Sequence, residues 1–178
     1  MLYWLLVIIG AVGLDQLTKW LAVTYLKGNA SFPLWQDVLH FTYVENTGAA
    51  FGSFKDHRWL FMITSTLLII ALIAYFLAAR PKDKLTVISL AFITGGGIGN
   101  MIDRILLGYV VDFIDFTLID FAVFNVADSF VCIGVGLMFL ALVRETRLEA
   151  KQAKAARIEA EADSAREEEA DDNTSVDG

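Results

Sequence analysis

The 178-residue chain has little of what disulfide-stapled or metal-binding domains use, with one cysteine and two histidines. A single cysteine, Cys132, excludes a disulfide within the chain. It lies in an apolar run without a nearby histidine, so we expect a small buried side chain rather than a nucleophile. His40 and His57 have no ligand spacing and no His-Glu-x-x-His helix is present. The sequence therefore predicts no metal site.

Positive charge is also scarce, because the formal net charge is −7. Residues 1–148 carry a net charge of −1, and residues 149–178 carry −6. Without a basic surface, nucleic acid is not an expected partner. The charge step predicts a membrane domain over 1–148 and an acidic, largely disordered cytoplasmic tail over 149–178, which is too polar to pack a core.

Apolar residues are abundant, at 56% of the chain with a mean hydropathy of +0.56. This is too apolar for an ordinary soluble domain. Each of four apolar stretches is long enough to cross a hydrocarbon core of about 30 Å. The predicted spans are 2–26, 59–79, 85–107 and 121–143. The first is not read as a cleaved signal peptide, because no basic segment precedes it.

Cations cluster after the second and the fourth span, which the positive-inside bias assigns to the cytoplasm. They are Arg80, Lys82, Lys84, Arg144, Arg147 and Lys151. Both termini are then cytoplasmic, and residues 27–57 and 107–120 lie on the outer side. The first of these loops is long, and its segment 38–44 is rich in β-formers, which predicts a short strand or hairpin.

Two aspartates, Asp112 and Asp128, stand near the outer ends of the third and fourth spans. A carboxylate at membrane depth is costly, so such a residue indicates a functional site. Paired carboxylates that share a proton can activate water for attack on a peptide carbonyl. The alternative for each aspartate alone is a structural ion pair or a helix N-cap.

Other polar residues of the spans also fall on shared helix faces. Asp15 and Lys19 are four apart and can neutralise each other. Asn100, Asp103 and Arg104 share one face of the third span, which also contains close-packing glycines. Asn125 and Asp128 share a face of the fourth.

Five blocks together resemble the bacterial lipoprotein signal peptidase (signal peptidase II) family in order and spacing. They are Asp15-Gln-Leu-Thr-Lys19, Asn46-Thr-Gly-Ala-Ala-Phe-Gly52, Gly96-Gly-Ile-Gly-Asn-Met-Ile-Asp-Arg104, Val111-Asp-Phe-Ile-Asp-Phe116 and Phe124-Asn-Val-Ala-Asp128. The resemblance implies an all-α polytopic membrane protein of four transmembrane helices, with a small extracytoplasmic β-cradle and an interfacial helix.

The resemblance also implies a function. It is that of an aspartyl endopeptidase of the bacterial inner membrane, which cleaves diacylglyceryl-prolipoproteins just before the lipidated cysteine. Asp112 and Asp128 would form the catalytic dyad, with the active site on the outer side. The implied supporting residues are Asn46, Gly48, Asn100, Asp103, Arg104, Asn125, Asp15 and Lys19. The further expectations are no cofactor, contact with membrane lipid, inhibition by globomycin and a monomeric state.

Three other functions remain open from the residues alone. An ion-coupled transporter would place its site near the bilayer midplane between repeated halves, and no repeat is visible. A non-catalytic assembly subunit would use the polar residues only for helix packing. A metallopeptidase would use the carboxylates as ligands but would lack the usual nitrogen ligands.

Overall fold

Four long helices carry the apolar spans. The computed structural model describes residues 2–48 and 58–175, with side chains to residue 158. The helices are α1 (Leu2–Tyr25), α2 (Arg58–Ala79), α3 (Lys84–Leu106) and α4 (Val126–Ser175), and each contains a stretch apolar enough to span a membrane. The chain is therefore a multi-pass membrane protein, as predicted.

The fourth helix starts later than the predicted residue 121. It begins at Val126, and the preceding Phe124 forms an isolated antiparallel bridge with Ile114. The apolar run before Val126 had suggested helix, but its backbone groups pair with those of Ile114 instead.

The chain divides into two compact units, Met1–Met138 and Phe139–Gly178. In the second unit α4 continues as helix to Ser175, through the segment in which we expected disorder. The division into a membrane domain and a dispensable tail at residue 148 stays a prediction.

The loop between α1 and α2 and the loop between α3 and α4 both contribute to one small sheet. The strands β1 (Phe32–Trp35), β2 (Leu39–Asn46) and β3 (Val110–Asp115) pair antiparallel in the order β1-β2-β3. The β1–β2 pair is the predicted hairpin. Since β2 lies between α1 and α2 and β3 between α3 and α4, both loops must lie at the same end of the helices. Residues 49–52 of the Asn46 block lie outside the described residues. The interfacial helix implied by the resemblance stays an expectation.

Helix α3 is the central helix of the first unit and contacts both α1 and α2. The residue before it, Asp83, caps the helix by accepting from the Thr86 backbone N–H at 2.9 Å. The helix ends before Gly108, whose φ of +89° suits glycine and turns the chain toward β3. Helix α2 is mostly exposed, as expected of a lipid-facing scaffold.

Close helix packing depends on Gly99 in α3. A Cβ at this position would lie 2.5 Å from Asp15 Oδ2 of α1 and 3.4 Å from the Cβ of Ala127 in α4. The Asp15 carboxylate cannot easily move away, because it accepts hydrogen bonds from Gln16 and from the Ala127 backbone N–H. Glycine here therefore allows α1 and α4 to meet α3 through polar contacts.

We expect Gly99→Ala to destabilise the protein by about 1–3 kcal/mol, since the added methyl group overpacks a buried polar contact. Gly10→Ala in α1 is the matched control, because nothing lies within 4 Å of a Cβ there. The control should be neutral or slightly stabilising. Thermal unfolding of both variants in one detergent tests this, and equal midpoints would contradict the assigned packing.

Candidate active site

Asp112 is placed by β3. Its neighbours Val111 and Phe113 are buried and pack in a cluster with Ala22 of α1, while Asp112 itself is 1% exposed. In the sheet Asp112 is the partner of Val44 in β2. A strand therefore carries this carboxylate into the interior of the protein, directly after the turn at Gly108.

Asp128 is placed by the first turn of α4. The Asn125 side-chain Oδ1 accepts from the Asp128 backbone N–H at 2.9 Å, and Asp128 Oδ2 accepts from the Asn125 backbone N–H at 3.2 Å. This reciprocal pair has the form of a capping box. The N-cap itself is Asn125, since α4 begins at Val126, and Asp128 takes the third helical position of the box. The contact with the Asn125 backbone fixes the direction of the Asp128 carboxylate.

Asn125 connects the two acids. Its Nδ2 donates to Asp112 Oδ1 at 2.6 Å, while its backbone N–H binds Asp128. The same Nδ2 also donates to Asn100 Oδ1 at 3.0 Å, so every polar group of this fully buried side chain has a partner. One residue therefore holds carboxylates from β3 and α4 side by side.

The second oxygen of Asp112 accepts from Asn46 Nδ2 at 2.8 Å. The Gly48 backbone N–H donates to Asn46 Oδ1 at 3.0 Å, which turns the amide nitrogen toward Asp112. The sequence also suggests that Asn46, which offers a donor and an acceptor, binds the backbone of an extended peptide, and this role stays a prediction. In the structure its amide nitrogen donates to Asp112, because β2 and β3 pair directly beside it.

Asn100 plays the corresponding part for Asp128. Its Nδ2 donates to Asp128 Oδ1 at 2.8 Å, and its Oδ1 accepts from the Lys19 ammonium at 2.8 Å. A cation bound to the carbonyl side of the amide fixes which end faces Asp128. The Lys19 charge on α1 therefore helps to orient Asn100 on α3, which in turn binds Asp128 on α4.

A buried charged layer lies next to the two acids. The Lys19 ammonium is 3.0 Å from both Asp15 Oδ2 and Asp103 Oδ2, so the predicted pairing of Asp15 with Lys19 is confirmed. Asp15 Oδ1 accepts from the Ala127 backbone N–H at 2.9 Å, and Asp103 Oδ2 from the Val111 backbone N–H at 3.0 Å. The layer thus anchors the starts of α4 and β3, the elements that carry Asp128 and Asp112.

Gln16 belongs to this layer, and our sequence reasoning did not select it. Its Nε2 lies within hydrogen-bonding distance of Asp103 Oδ1 at 3.0 Å and of Asp15 Oδ2 and the Gly99 carbonyl at 3.2 Å. The available signal was an uncharged polar side chain in an apolar span beside Asp15.

Arg104 differs from expectation. The sequence suggests Asp103 or a neighbouring loop as the partner of its guanidinium. Asp103 is instead paired with Lys19, Gln16 and Val111, and the contact with a neighbouring loop stays a prediction. Arg104 Nη1 lies 3.4 Å from the Asn100 carbonyl oxygen, and its guanidinium carbon is 5.6 Å from the centre of the Phe61 ring. Successive helix positions point in different directions, so Asp103 faces α1 and Arg104 faces the cavity described next.

A cavity of about 590 Å³ opens beside the acids. One part of its lining is polar, with Asn46, Gly48, Asn100, Arg104, Asp112 and Asp128. The other part is mainly apolar, with Phe61, Val110, Phe121, Ala122, Val123, Phe124, Ser129, Cys132 and Ile133. The two aspartates therefore face a space that can receive a ligand with a polar segment and an apolar one.

Cys132 is exposed, which corrects the expected burial. It lines the cavity one helical turn after Asp128. An apolar run in a membrane helix does not distinguish a side chain that faces the protein core from one that faces lipid or a cavity, so sequence reasoning could not place it.

Burial raises the pKa of Asp112 from its ordinary value of 3.8 to about 7. The Asn46 hydrogen bond opposes the shift, and the negative charge of Asp128 adds to it. This is the pattern expected when two carboxyl groups share a desolvated site, because both cannot be ionised without a large cost. The pair is therefore disposed to keep one proton near neutral pH.

The structure brings together nine of the ten site residues selected from the sequence in one hydrogen-bonded group, and Arg104 lies at its edge on the cavity wall. Among the side chains that the structure describes, no group of three or more His, Cys, Asp or Glu residues has a metal-binding arrangement.

Known proteins are similar in sequence to this chain over nearly the whole of its first compact unit. The sequence profile of the family described as Signal peptidase (SPase) II matches residues 7–144. A lipoprotein signal peptidase of Halalkalibacterium halodurans is 41% identical over 158 residues, covering 87% of this chain and 100% of that protein. Another, from Caldanaerobacter subterraneus, is 50% identical over 123 residues, covering 69% of this chain and 83% of that protein.

Two solved structures share the fold. Both are described as bacterial membrane enzymes determined by the in meso method. One matches with a TM-score of 0.76 and 34% identity, covering 82% of this chain and 90% of that one. The other matches with a TM-score of 0.73 and 35% identity, covering 80% and 93%.

Proposed function

Because the chain belongs to the signal peptidase II family and is a multi-pass membrane protease, we propose that it cleaves signal peptides from diacylglyceryl-modified prolipoproteins with a water activated between Asp112 and Asp128. The observation that carries the proposal is the double contact of Asn125, whose amide binds one aspartate and whose backbone binds the other. The helix cap accounts for the contact with Asp128 but does not require the contact with Asp112.

In the proposed reaction, the ionised carboxylate takes a proton from the water as it attacks the scissile carbonyl carbon. The protonated carboxyl donates to the carbonyl oxygen, where negative charge develops. The proton gained from water then passes to the leaving amine as the peptide bond breaks. Three amide side chains, those of Asn46, Asn100 and Asn125, hold the carboxyl groups in fixed orientations throughout.

The cavity supports a lipid-modified substrate. Its polar part contains both aspartates and Arg104, and its apolar part includes Phe61, Phe121 and Ile133. We propose that the peptide before the lipidated cysteine lies against the polar part while the acyl chains lie against the apolar one. Cleavage would then occur just before that cysteine.

The proposed location is the bacterial inner membrane, with both termini in the cytoplasm. The sheet and the two aspartates would lie on the outer side, at the end of the helices opposite the loop that contains Arg80 and Lys82. We propose that the protein acts as a monomer and that globomycin competes for the cavity.

The test is cleavage of a purified prolipoprotein by the purified protein in detergent. Diacylglyceryl-modified substrate should be cut before the modified cysteine, while the same precursor without lipid should be cut far more slowly. Globomycin should inhibit the reaction. Equal cleavage of both precursors would refute the proposed role of the acyl chains, and absence of cleavage of either would refute the proposed function.

We also expect a pH dependence. The raised pKa of Asp112 means that the proton of the pair is lost as the pH rises through about 7. The mechanism needs one protonated carboxyl group, so kcat should fall above that pH.

The stability of the folded protein should also decrease as the pH rises. A carboxyl whose pKa is raised on folding contributes stability below its ordinary value of 3.8, and this contribution is lost as the pH rises through about 7. Unfolding midpoints measured on both sides of 7 should therefore decrease with rising pH. The decrease should be smaller in Asp112→Asn, which has no proton to lose, and an identical decrease would exclude Asp112 as its source.

A further inference from the structure

A face of α4 in the second unit combines apolar and cationic side chains. The residues recur at helical spacing and line one groove of about 340 Å³: Leu140, Val143, Arg144, Arg147, Leu148 and Lys151. At 100° per residue these positions lie on one side of the helix. Glu145 and Glu149 fall on the other side, so the positive charge is concentrated along the groove.

The groove lies where the apolar span ends. Before residue 144 the sequence Gly-Leu-Met-Phe-Leu-Ala-Leu-Val is uncharged, and from Arg144 onward charged residues recur at nearly every turn. Leu140 is 56% exposed, and Arg147 and Lys151 are also exposed. A membrane boundary at this point sets Leu140 and Val143 against acyl chains and Arg147 and Lys151 at headgroup level.

From this arrangement we propose that the groove binds an anionic phospholipid of the surrounding bilayer. The guanidinium of Arg147 and the ammonium of Lys151 bind the headgroup phosphate. The part of an acyl chain nearest the headgroup lies along Leu140 and Val143. Arginine suits this role because its planar fork can donate two hydrogen bonds to one phosphate. The charge complementarity and the continuity of the apolar and basic parts select a lipid rather than a soluble anion.

The site is separate from the proposed peptidase reaction, since no residue of the groove belongs to the cavity around the aspartates. Its test therefore uses lipid retention and not cleavage. The full-length protein is purified in detergent mixed with equal amounts of phosphatidylglycerol and phosphatidylcholine, and the retained lipids are measured by native mass spectrometry.

We expect preferential retention of phosphatidylglycerol, and we expect Arg147→Gln/Lys151→Gln to weaken it roughly 30-fold, given the usual contribution of each cation near an anionic surface. Lys82→Gln/Lys84→Gln is the control, because it removes the same charge from exposed positions outside the groove. The control should retain phosphatidylglycerol like the parent. If the double variant proves poorly folded by its elution profile, Lys151→Gln alone should give an intermediate loss.

Several results would overturn the proposal. Equal retention of the two lipids, or unchanged retention in the groove variant, would remove the site. Displacement of the lipid by free glycerol phosphate at a similar concentration would mean that the acyl contact contributes nothing. Low-salt dimerisation that disappears in the groove variant would assign the cations to the acidic segment 159–178 of a second copy.

Discussion

Asp112→Asn and Asp128→Asn are each expected to abolish measurable cleavage while the protein still folds and inserts. Loss of general acid–base catalysis alone lowers a rate by about 10²- to 10⁴-fold. Since the two carboxyl groups act on one water in the proposed mechanism, the double variant should be no slower than either single variant. Initial rates with a diacylglyceryl-modified precursor measure this. Near-normal turnover in either single variant would remove that residue from the mechanism.

Two controls separate chemistry from folding. Asp115→Asn changes an aspartate on the same strand that accepts from Thr42 Oγ1 at 2.7 Å and does not line the cavity, so its rate should be near that of the parent.

In Asp112→Asn, one amide N–H must face a donor, because Asn46 and Asn125 both donate to the native carboxylate. This costs about 1–3 kcal/mol.

The swap Asp112→Asn/Asn46→Asp restores a matched donor and acceptor between β2 and β3. We expect it to recover thermal stability without recovering cleavage. Recovery of both would show that the contact between the strands matters and the position of the carboxylate does not.

Lys19→Met is expected to cause the largest loss of stability. Lys19 is only 3% exposed. Its ammonium pairs with Asp15 and Asp103 and also donates to Asn100. Its removal leaves two buried carboxylates without their cation, which typically costs about 3–5 kcal/mol. Cleavage should fall as well, because the Asn100 amide loses the contact that turns its nitrogen toward Asp128. Thermal unfolding and initial rates measured on the same preparation test both effects.

Lys27→Met provides the matched comparison. Lys27 also pairs with a carboxylate, at 2.9 Å from Glu45, but this pair is exposed just after the C-terminal end of α1. Water screens such a pair, so the variant should unfold and cleave like the parent. A double variant, Asp15→Asn/Lys19→Met, should regain part of the stability lost in Lys19→Met, since it removes one of the stranded charges. Similar unfolding midpoints for Lys19→Met and Lys27→Met would refute the buried ion network.

Hydropathy and charge along the chain were sufficient for the membrane class, the helices α1 to α3 and the pairing of Asp15 with Lys19. These features depend on local properties, namely the length of an apolar run and the spacing of residues on one helix. The same reasoning placed the start of α4 too early, because pairing of Phe124 with Ile114 is a contact between strand segments that no local pattern encodes.

The order of motifs along the sequence identified the group of polar residues, and only the tertiary structure assigned their partners. Asp103 binds Lys19 rather than Arg104, and Asn46 binds Asp112, because β3 packs against β2 and α1 packs against α3. The exposure of Cys132 was likewise decided by which side of α4 faces the cavity. Sequence spacing determines which side chains share a face of one element, whereas the packing of several elements determines which faces meet, and desolvation at that junction is what raises the pKa of Asp112.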